Sequence, residues 1–102
     1  MEINLTSDTI TRPSKEMLDA MRKASVGDDV FKQDPTVNLL EKELSRLFGK
    51  ESSLFFPSGT MANQTAIKIN TEPGDQLICD SNSHVYNYEA GGASFNSGVS
   101  CR

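Results

Sequence analysis

The stretch Phe55-Phe56-Pro57-Ser58-Gly59-Thr60-Met61-Ala62-Asn63 decides how the chain is read. Leu54, Phe55 and Phe56 predict a short apolar strand, and the small hydroxylated residues after Pro57 predict a helix that starts near Ser58. The first N–H groups of a helix have no intrahelical acceptor and lie at the positive end of its dipole. Two readings of such a turn stand side by side. Ser58 serves as a helix cap and nothing more, or Ser58, Gly59 and Thr60 together cradle a phosphate.

Outward from the turn, the pattern alternates. Residues 59–69 predict a helix with Ala62, Thr65, Ala66 and Ile69 facing inward, and Pro73-Gly74-Asp75 predicts a turn. Gln76 to Asp80 reads as the next strand, and residues 85–95 read as a short helix or ordered loop broken by Gly91-Gly92. Val99 to Cys101 begins a third strand. Strand, helix, strand predicts βαβ units and a parallel sheet, hence an α/β fold. Parallel sheets are normally covered on both faces, so three short strands predict the N-terminal part of a larger protein.

Upstream, residues 1–13 read as extended, since Pro13 disfavours a helical Arg12. Ser14 is the expected cap of a helix over about 14–25 that carries Met17, Leu18 and Met21. A second helix is expected to be capped by Thr36, to face inward with Val37, Leu40, Leu44 and Leu47, and to end at Gly49. This divides the chain into an arm, helix and loop over 1–35 and the start of a larger domain over 36–102.

Composition narrows the function classes. The 102 residues carry a net charge of −4 with scattered lysines and no basic run, which argues against nucleic acid and anionic membranes as partners. No apolar run reaches membrane-spanning length, and Met1-Glu2-Ile3-Asn4-Leu5 lacks the layout of a signal peptide, so the expected location is cytoplasmic. Cys79 and Cys101 read as small buried thiols in preference to a disulfide or half a metal site. Asp28, Asp29 and Asp34 fit no calcium loop and read as a solvated acidic loop, so no metal is expected.

The one histidine, His84, follows the strand 76–80 as Ser58-Gly59-Thr60 follows the strand before it. Ligands gather beyond the carboxyl ends of parallel strands, which predicts both groups on one sheet edge. There His84 either packs as a satisfied surface residue, stacks on a flat ring, or exchanges a proton. Tyr86 and Tyr88 read as core or interface aromatics. Ser7-Asp8-Thr9 supports either turn chemistry or a hydroxyl that reaches a ligand carboxylate.

Taken in order, five motifs resemble the low-specificity L-threonine aldolase family. They are Leu5-Thr6-Ser7-Asp8-Thr9-Ile10-Thr11-Arg12-Pro13, Val26-Gly27-Asp28-Asp29-Val30-Phe31, Asp34-Pro35-Thr36-Val37-Asn38, Phe56 through Asn63, and His84-Val85-Tyr86-Asn87-Tyr88-Glu89-Ala90-Gly91-Gly92. The resemblance implies the fold-type I architecture of pyridoxal 5'-phosphate enzymes, with an extended arm and two helices before a mainly parallel sheet. It implies that Ser58, Gly59 and Thr60 bind the cofactor phosphate and that His84 stacks on the pyridine ring and moves the substrate hydroxyl proton. It implies that Ser7 binds the substrate carboxylate and that Tyr88 lines the site. The arm and the Asp28-Asp29 loop would lie at a subunit interface of a homodimer or homotetramer. The implied reaction cleaves a β-hydroxy-α-amino acid to glycine and an aldehyde.

Two departures accompany the resemblance. Phe31 stands where the family usually has tyrosine. The family's Schiff-base lysine, its pyridine-pairing acid and its carboxylate-clamping arginine correspond to no motif in these residues, so the 102 residues alone are expected to be inactive. Two other functions remain open at this point: another fold-type I lyase, such as a β-eliminating tryptophanase-like enzyme, and a truncated interaction segment without activity.

Overall fold

A computed structural model describes residues 3–102, and the part of the expected extended arm at residues 1–2 lies outside them. The chain divides into two compact units, Met1–Leu54 and Phe55–Arg102.

In the first unit the arm is interrupted by a 3-10 turn at Asp8–Ile10, because the Ser7 hydroxyl accepts the Thr9 N–H at 3.2 Å and closes the chain on itself. Helix α1, Lys15–Lys23, starts as the sequence predicts, with the Ser14 hydroxyl accepting the Met17 N–H at 3.2 Å. Helix α2 spans Pro35–Phe48 and ends at Gly49 in the left-handed conformation, φ 59°. Its cap is Asp34 and not Thr36. Asp34 Oδ1 accepts the N–H groups of Thr36 and Val37, each at 2.9 Å, and Pro35 takes the first-turn place where no N–H is required. Thr36 instead donates its hydroxyl to the Ser25 carbonyl at 2.6 Å. The other oxygen of Asp34 accepts the Gly27 N–H at 2.9 Å, so one buried carboxylate caps the helix and closes the preceding loop. The N–H groups of Val37 and Gly27 hold the Asp34 carboxyl below its ordinary range, against the opposing effect of burial.

The inward face of α2 also differs from expectation. Val37, Glu41 and Ser45 are its half-buried positions, whereas Leu40, Leu44 and Leu47 are 42%, 37% and 69% exposed. The cause is the returning segment after Gly49. Ser53 donates its hydroxyl to the Glu41 carbonyl and pairs with Ser45 at 3.0 Å, so that segment covers the polar flank and leaves the leucine stripe bare.

The second unit contains helix α3 (Gly59–Asn70), strand β1 (Gln76–Leu77), helices α4 (His84–Asn87) and α5 (Gly92–Ser97), and strand β2 (Ser100–Cys101). The strands pair in parallel with Gln76 opposite Ser100 and Leu77 opposite Cys101, and their connection carries α4 and α5. Helix α5 packs on α3 and on β2. The resulting helix-rich α/β unit has a smaller sheet than the sequence predicts. Residues 54–56 form no strand, because a strand exists only in a ladder and the two-stranded sheet does not extend to them. The strand expected over 76–80 is regular only at Gln76–Leu77, although the Cys79 N–H still reaches the Arg102 carbonyl at 3.0 Å. On α3 the half-buried positions are Ala62, Gln64, Thr65 and Ile67, while Ile69 is 76% exposed. The helix is turned so that a glutamine faces inward, for a reason given below.

Among the described residues only Ala93 and Val99 are buried hydrophobics. Apolar burial this sparse does not offset the entropy of ordering the chain. The isolated 102 residues are therefore expected to bind a hydrophobic dye, to associate as concentration rises and to melt without a sharp transition. A monomer with a sharp, concentration-independent melt would contradict this.

Candidate functional site

The start of α3 is built as a donor-rich turn. Ser58 is extended (φ −150°, ψ 151°), its hydroxyl accepts the Met61 N–H at 3.2 Å, and its carbonyl accepts the Ala62 N–H at 3.2 Å. Gly59 and Thr60 supply the first-turn N–H groups that no intrahelical acceptor can reach. A Cβ placed on Gly59 would meet nothing within 4 Å, so the space beside these donors is open. An open groove of about 480 Å³ starts at this turn and runs along the helix past Gln64, Thr65 and Lys68. Ser58 and Thr60 line it, and His84 does not.

His84 is reached by a different route. It opens α4 with its side chain 62% exposed, and its Nδ1 lies 3.0 Å from Glu89 Oε1. Glu89 is 5% exposed, and its carboxylate accepts from Asn63 Nδ2 at 2.8 Å and from Gln64 Nε2 at 2.6 Å. Asn63 and Gln64 lie one turn beyond Gly59 on α3. One carboxylate thus joins helix α3 to the imidazole. Burial, the largest single influence on this carboxyl, pushes its pKa up, but the hydrogen bonds from Asn63, Gln64 and His84 and the imidazole charge bring it below the ordinary value. The carboxylate is therefore ionised near neutral pH.

The backbone around Glu89 is shaped to deliver it. Ala90 and Gly91 are both left-handed (φ 52° and 70°), a conformation that costs a non-glycine residue about 1–2 kcal/mol. This turn ends α4 and starts α5, with the Gly92 N–H donating to the Glu89 carbonyl at 2.8 Å. Gly92 leaves room for the Gln64 amide: a Cβ there would lie 2.6 Å from the Gln64 Cδ, and the amide would have to move aside. Without that side chain, the Gln64 amide lies flat against the start of α5, donates to Glu89 and accepts from Asn96 Nδ2 at 3.2 Å. This is why α3 turns Gln64 inward.

Of the residues singled out from the sequence, Ser58, Gly59, Thr60 and His84 are thus linked through Asn63, Gln64 and Glu89 in the second unit. Tyr88 also stands there, its ring 5.5 Å from that of His84 and tilted by 44°, while 74% exposed. Tyr86 is 53% exposed and is not a core residue. Ser7 lies in the first unit, where its hydroxyl serves the turn at Asp8–Ile10 and also pairs with the Thr9 hydroxyl at 2.8 Å. Cys79 and Cys101 are free, half-buried thiols at the strand pair, and burial, then the neighbouring Cys79, raises the pKa of Cys101. No group of three or more metal-ligating side chains gathers among the described residues, and the Asp34 carboxylate is occupied by backbone N–H groups. No helix among them is long and apolar enough to cross a membrane.

Glu89 is the site residue that reading the sequence by itself left without a role. The available signal is its place five residues after His84 and two before the Gly91-Gly92 pair.

Comparison with known proteins gives a consistent pattern. The family model for beta-eliminating lyases matches residues 4–102. The low specificity L-threonine aldolase of Escherichia coli K12 is 50% identical over 91 residues, covering 89% of this chain and 27% of its own length. Low-specificity L-threonine aldolase 1 of Arabidopsis thaliana is 44% identical over 98 residues, covering 95% of this chain and 27% of its own. The corresponding protein of Saccharomyces cerevisiae is 43% identical over 90 residues, covering 87% and 23%. The chain therefore spans about a quarter of the length of these relatives.

Two outcomes follow for the intact protein. Gly92→Ala pushes the Gln64 amide off Glu89 and should destabilise by about 1–3 kcal/mol, as overpacking does, measured as a lowered denaturation midpoint. The lowered carboxyl of Glu89 contributes stability that is fully present above its unfolded value of 4.5 and is lost as pH falls through the lower folded value. Acid unfolding monitored by circular dichroism should show this loss, and Glu89→Gln should make the pH dependence shallower.

Proposed function

The chain belongs to the beta-eliminating lyase family, and from that premise we propose that it is part of a pyridoxal 5'-phosphate-dependent L-threonine aldolase of fold type I, acting on a small β-hydroxy-α-amino acid. The observation that carries the reading is the start of α3. Two N–H donors, the hydroxyls of Ser58 and Thr60 and open space beside Gly59 suit a phosphate dianion. The residues present therefore fit the phosphate end of the cofactor. When bound, pyridoxal phosphate supplies the electron sink that makes the Cα–Cβ bond of an amino acid breakable.

The chain's own residues do the rest. Gly59 and Thr60 donate backbone N–H groups to the phosphate, and the Ser58 and Thr60 hydroxyls add donors. His84 offers the exposed face of its imidazole to the pyridine ring, with Tyr88 beside it at 5.5 Å. With Nδ1 engaged by Glu89, Nε2 is the nitrogen left to take the proton from the substrate β-hydroxyl, directly or through one water. Loss of that proton accompanies departure of the aldehyde with cleavage of Cα–Cβ, and a proton returned to Cα completes glycine as the second product. Within the first unit, the same reading assigns the Ser7 hydroxyl to the substrate carboxylate. Val26, Val30 and Phe31, 85%, 85% and 71% exposed around Asp28-Asp29, suit a subunit interface of a homodimer or homotetramer. The 102 residues alone are proposed to be inactive, and the whole protein is proposed to work in the cytoplasm.

The test uses the intact protein with pyridoxal phosphate. An absorbance band near the visible edge should shift when threonine is added, with acetaldehyde and glycine as products. Gly59→Asp should keep the helix, because an acidic residue suits a helix start. Its charge should nevertheless weaken cofactor binding at least about tenfold, since like charges some 4 Å apart repel by several times that energy near a protein surface. 2-Oxobutanoate in place of acetaldehyde, the product that β-elimination would give from threonine, or undiminished cofactor affinity in Gly59→Asp, would contradict the proposal.

A further inference from the structure

The arrangement around His84 asks for an explanation that phosphate binding does not give. A carboxylate that is 5% exposed is held by two side-chain amides on α3 and by a ring nitrogen on α4, in a turn whose Ala90 is in a left-handed conformation. Buried carboxylates are costly unless each oxygen is satisfied. Here Oε1 accepts from Asn63 and His84 and Oε2 accepts from Gln64. An ionised carboxylate can only accept, so His84 Nδ1 must be the donor. In a neutral imidazole the other nitrogen is then an acceptor.

We propose that Glu89 is a positioning residue that fixes His84 in the Nδ1–H tautomer and so presents Nε2 as the proton acceptor at the site. Asn63 and Gln64 hold the carboxylate so that it cannot follow the ring, and Gly92 gives the Gln64 amide room to do so. The ring itself is 62% exposed, and without this bond its orientation and tautomer would be set by water. Glu89 has no contact with reacting atoms in this account; it acts through His84. The proposal rests on the threonine aldolase reading for its catalytic meaning, but the tautomer itself is independent of that reading.

The experiment is long-range proton–nitrogen NMR on the intact, ¹⁵N-labelled protein in mildly alkaline buffer. His84 signals are assigned by their loss in His84→Asn. The expected result is a protonated Nδ1 and an unprotonated Nε2. A protonated Nε2 in the wild-type protein overturns the proposal without any variant. In Glu89→Met, which keeps the length and removes the acceptor, the ring should revert to the Nε2–H form favoured in water. A folded Glu89→Met that keeps Nδ1–H also overturns it. In the cofactor-loaded enzyme the same variant should lose about a hundredfold in kcat for threonine cleavage, the lower end of what a placed acid–base group contributes. KM should change little. A wild-type protein with the Nδ1–H form but no threonine cleavage would support the Glu89 assignment and contradict the functional reading, so the two failures are distinct.

Discussion

The second unit depends on one buried carboxylate. Glu89 collects donors from two helices that are otherwise joined only by a strand and a loop, and its bonds explain features that look unrelated in the sequence. An inward-facing Gln64, a glycine at position 92, a left-handed alanine at 90 and a short helix beginning at His84 all serve to bring acceptor and donors together. A carboxylate with so little exposure tolerates none of these partners being misplaced, because an unsatisfied buried charge costs more than a lost surface hydrogen bond. Local strain at Ala90 fits the general pattern in which unusual backbone clusters where side chains must be aimed.

The same economy operates in the first unit, with Asp34 in the equivalent position. Its two oxygens take three backbone N–H groups, one from the loop and two from the first turn of α2. What would read as part of an acidic loop is a structural acceptor that fixes the loop and the first turn of α2 together. In both units polar side chains organise the chain more than apolar ones do, which follows from how few apolar residues are buried. The leucine stripe of α2 and Ile69 of α3 have the periodicity of core residues yet lie exposed.

That contrast shows what was legible in the sequence. Helix starts were readable wherever a single residue sets them: Ser14 and Ser58 are caps as their positions imply, and Gly49 ends α2. Asp34 displaced Thr36 as cap because two candidate caps flank Pro35, and only the three-dimensional loop shows that Asp34 also reaches Gly27. The strand at 54–56 was misread because strand propensity is local while a ladder is not. The inward faces of α2 and α3 were misjudged for a related reason: periodicity marks which side chains are apolar, and burial depends on what packs there. For the candidate site, the free donors at the start of α3 can be argued from residue type and position. Glu89 cannot, because a glutamate two residues before a glycine pair looks like any solvated loop residue until its three donors are seen.

We propose that the start of α3 and the Glu89-held imidazole form the two ends of one cofactor site. A crystal structure of the intact protein grown with pyridoxal phosphate tests this most directly. The phosphate is expected within hydrogen-bond distance of the Gly59 and Thr60 N–H groups, and the pyridine ring stacked on His84 with Nδ1 still bonded to Glu89. A phosphate bound elsewhere, or a ring packed against a different side chain with His84 turned away from Glu89, would contradict it.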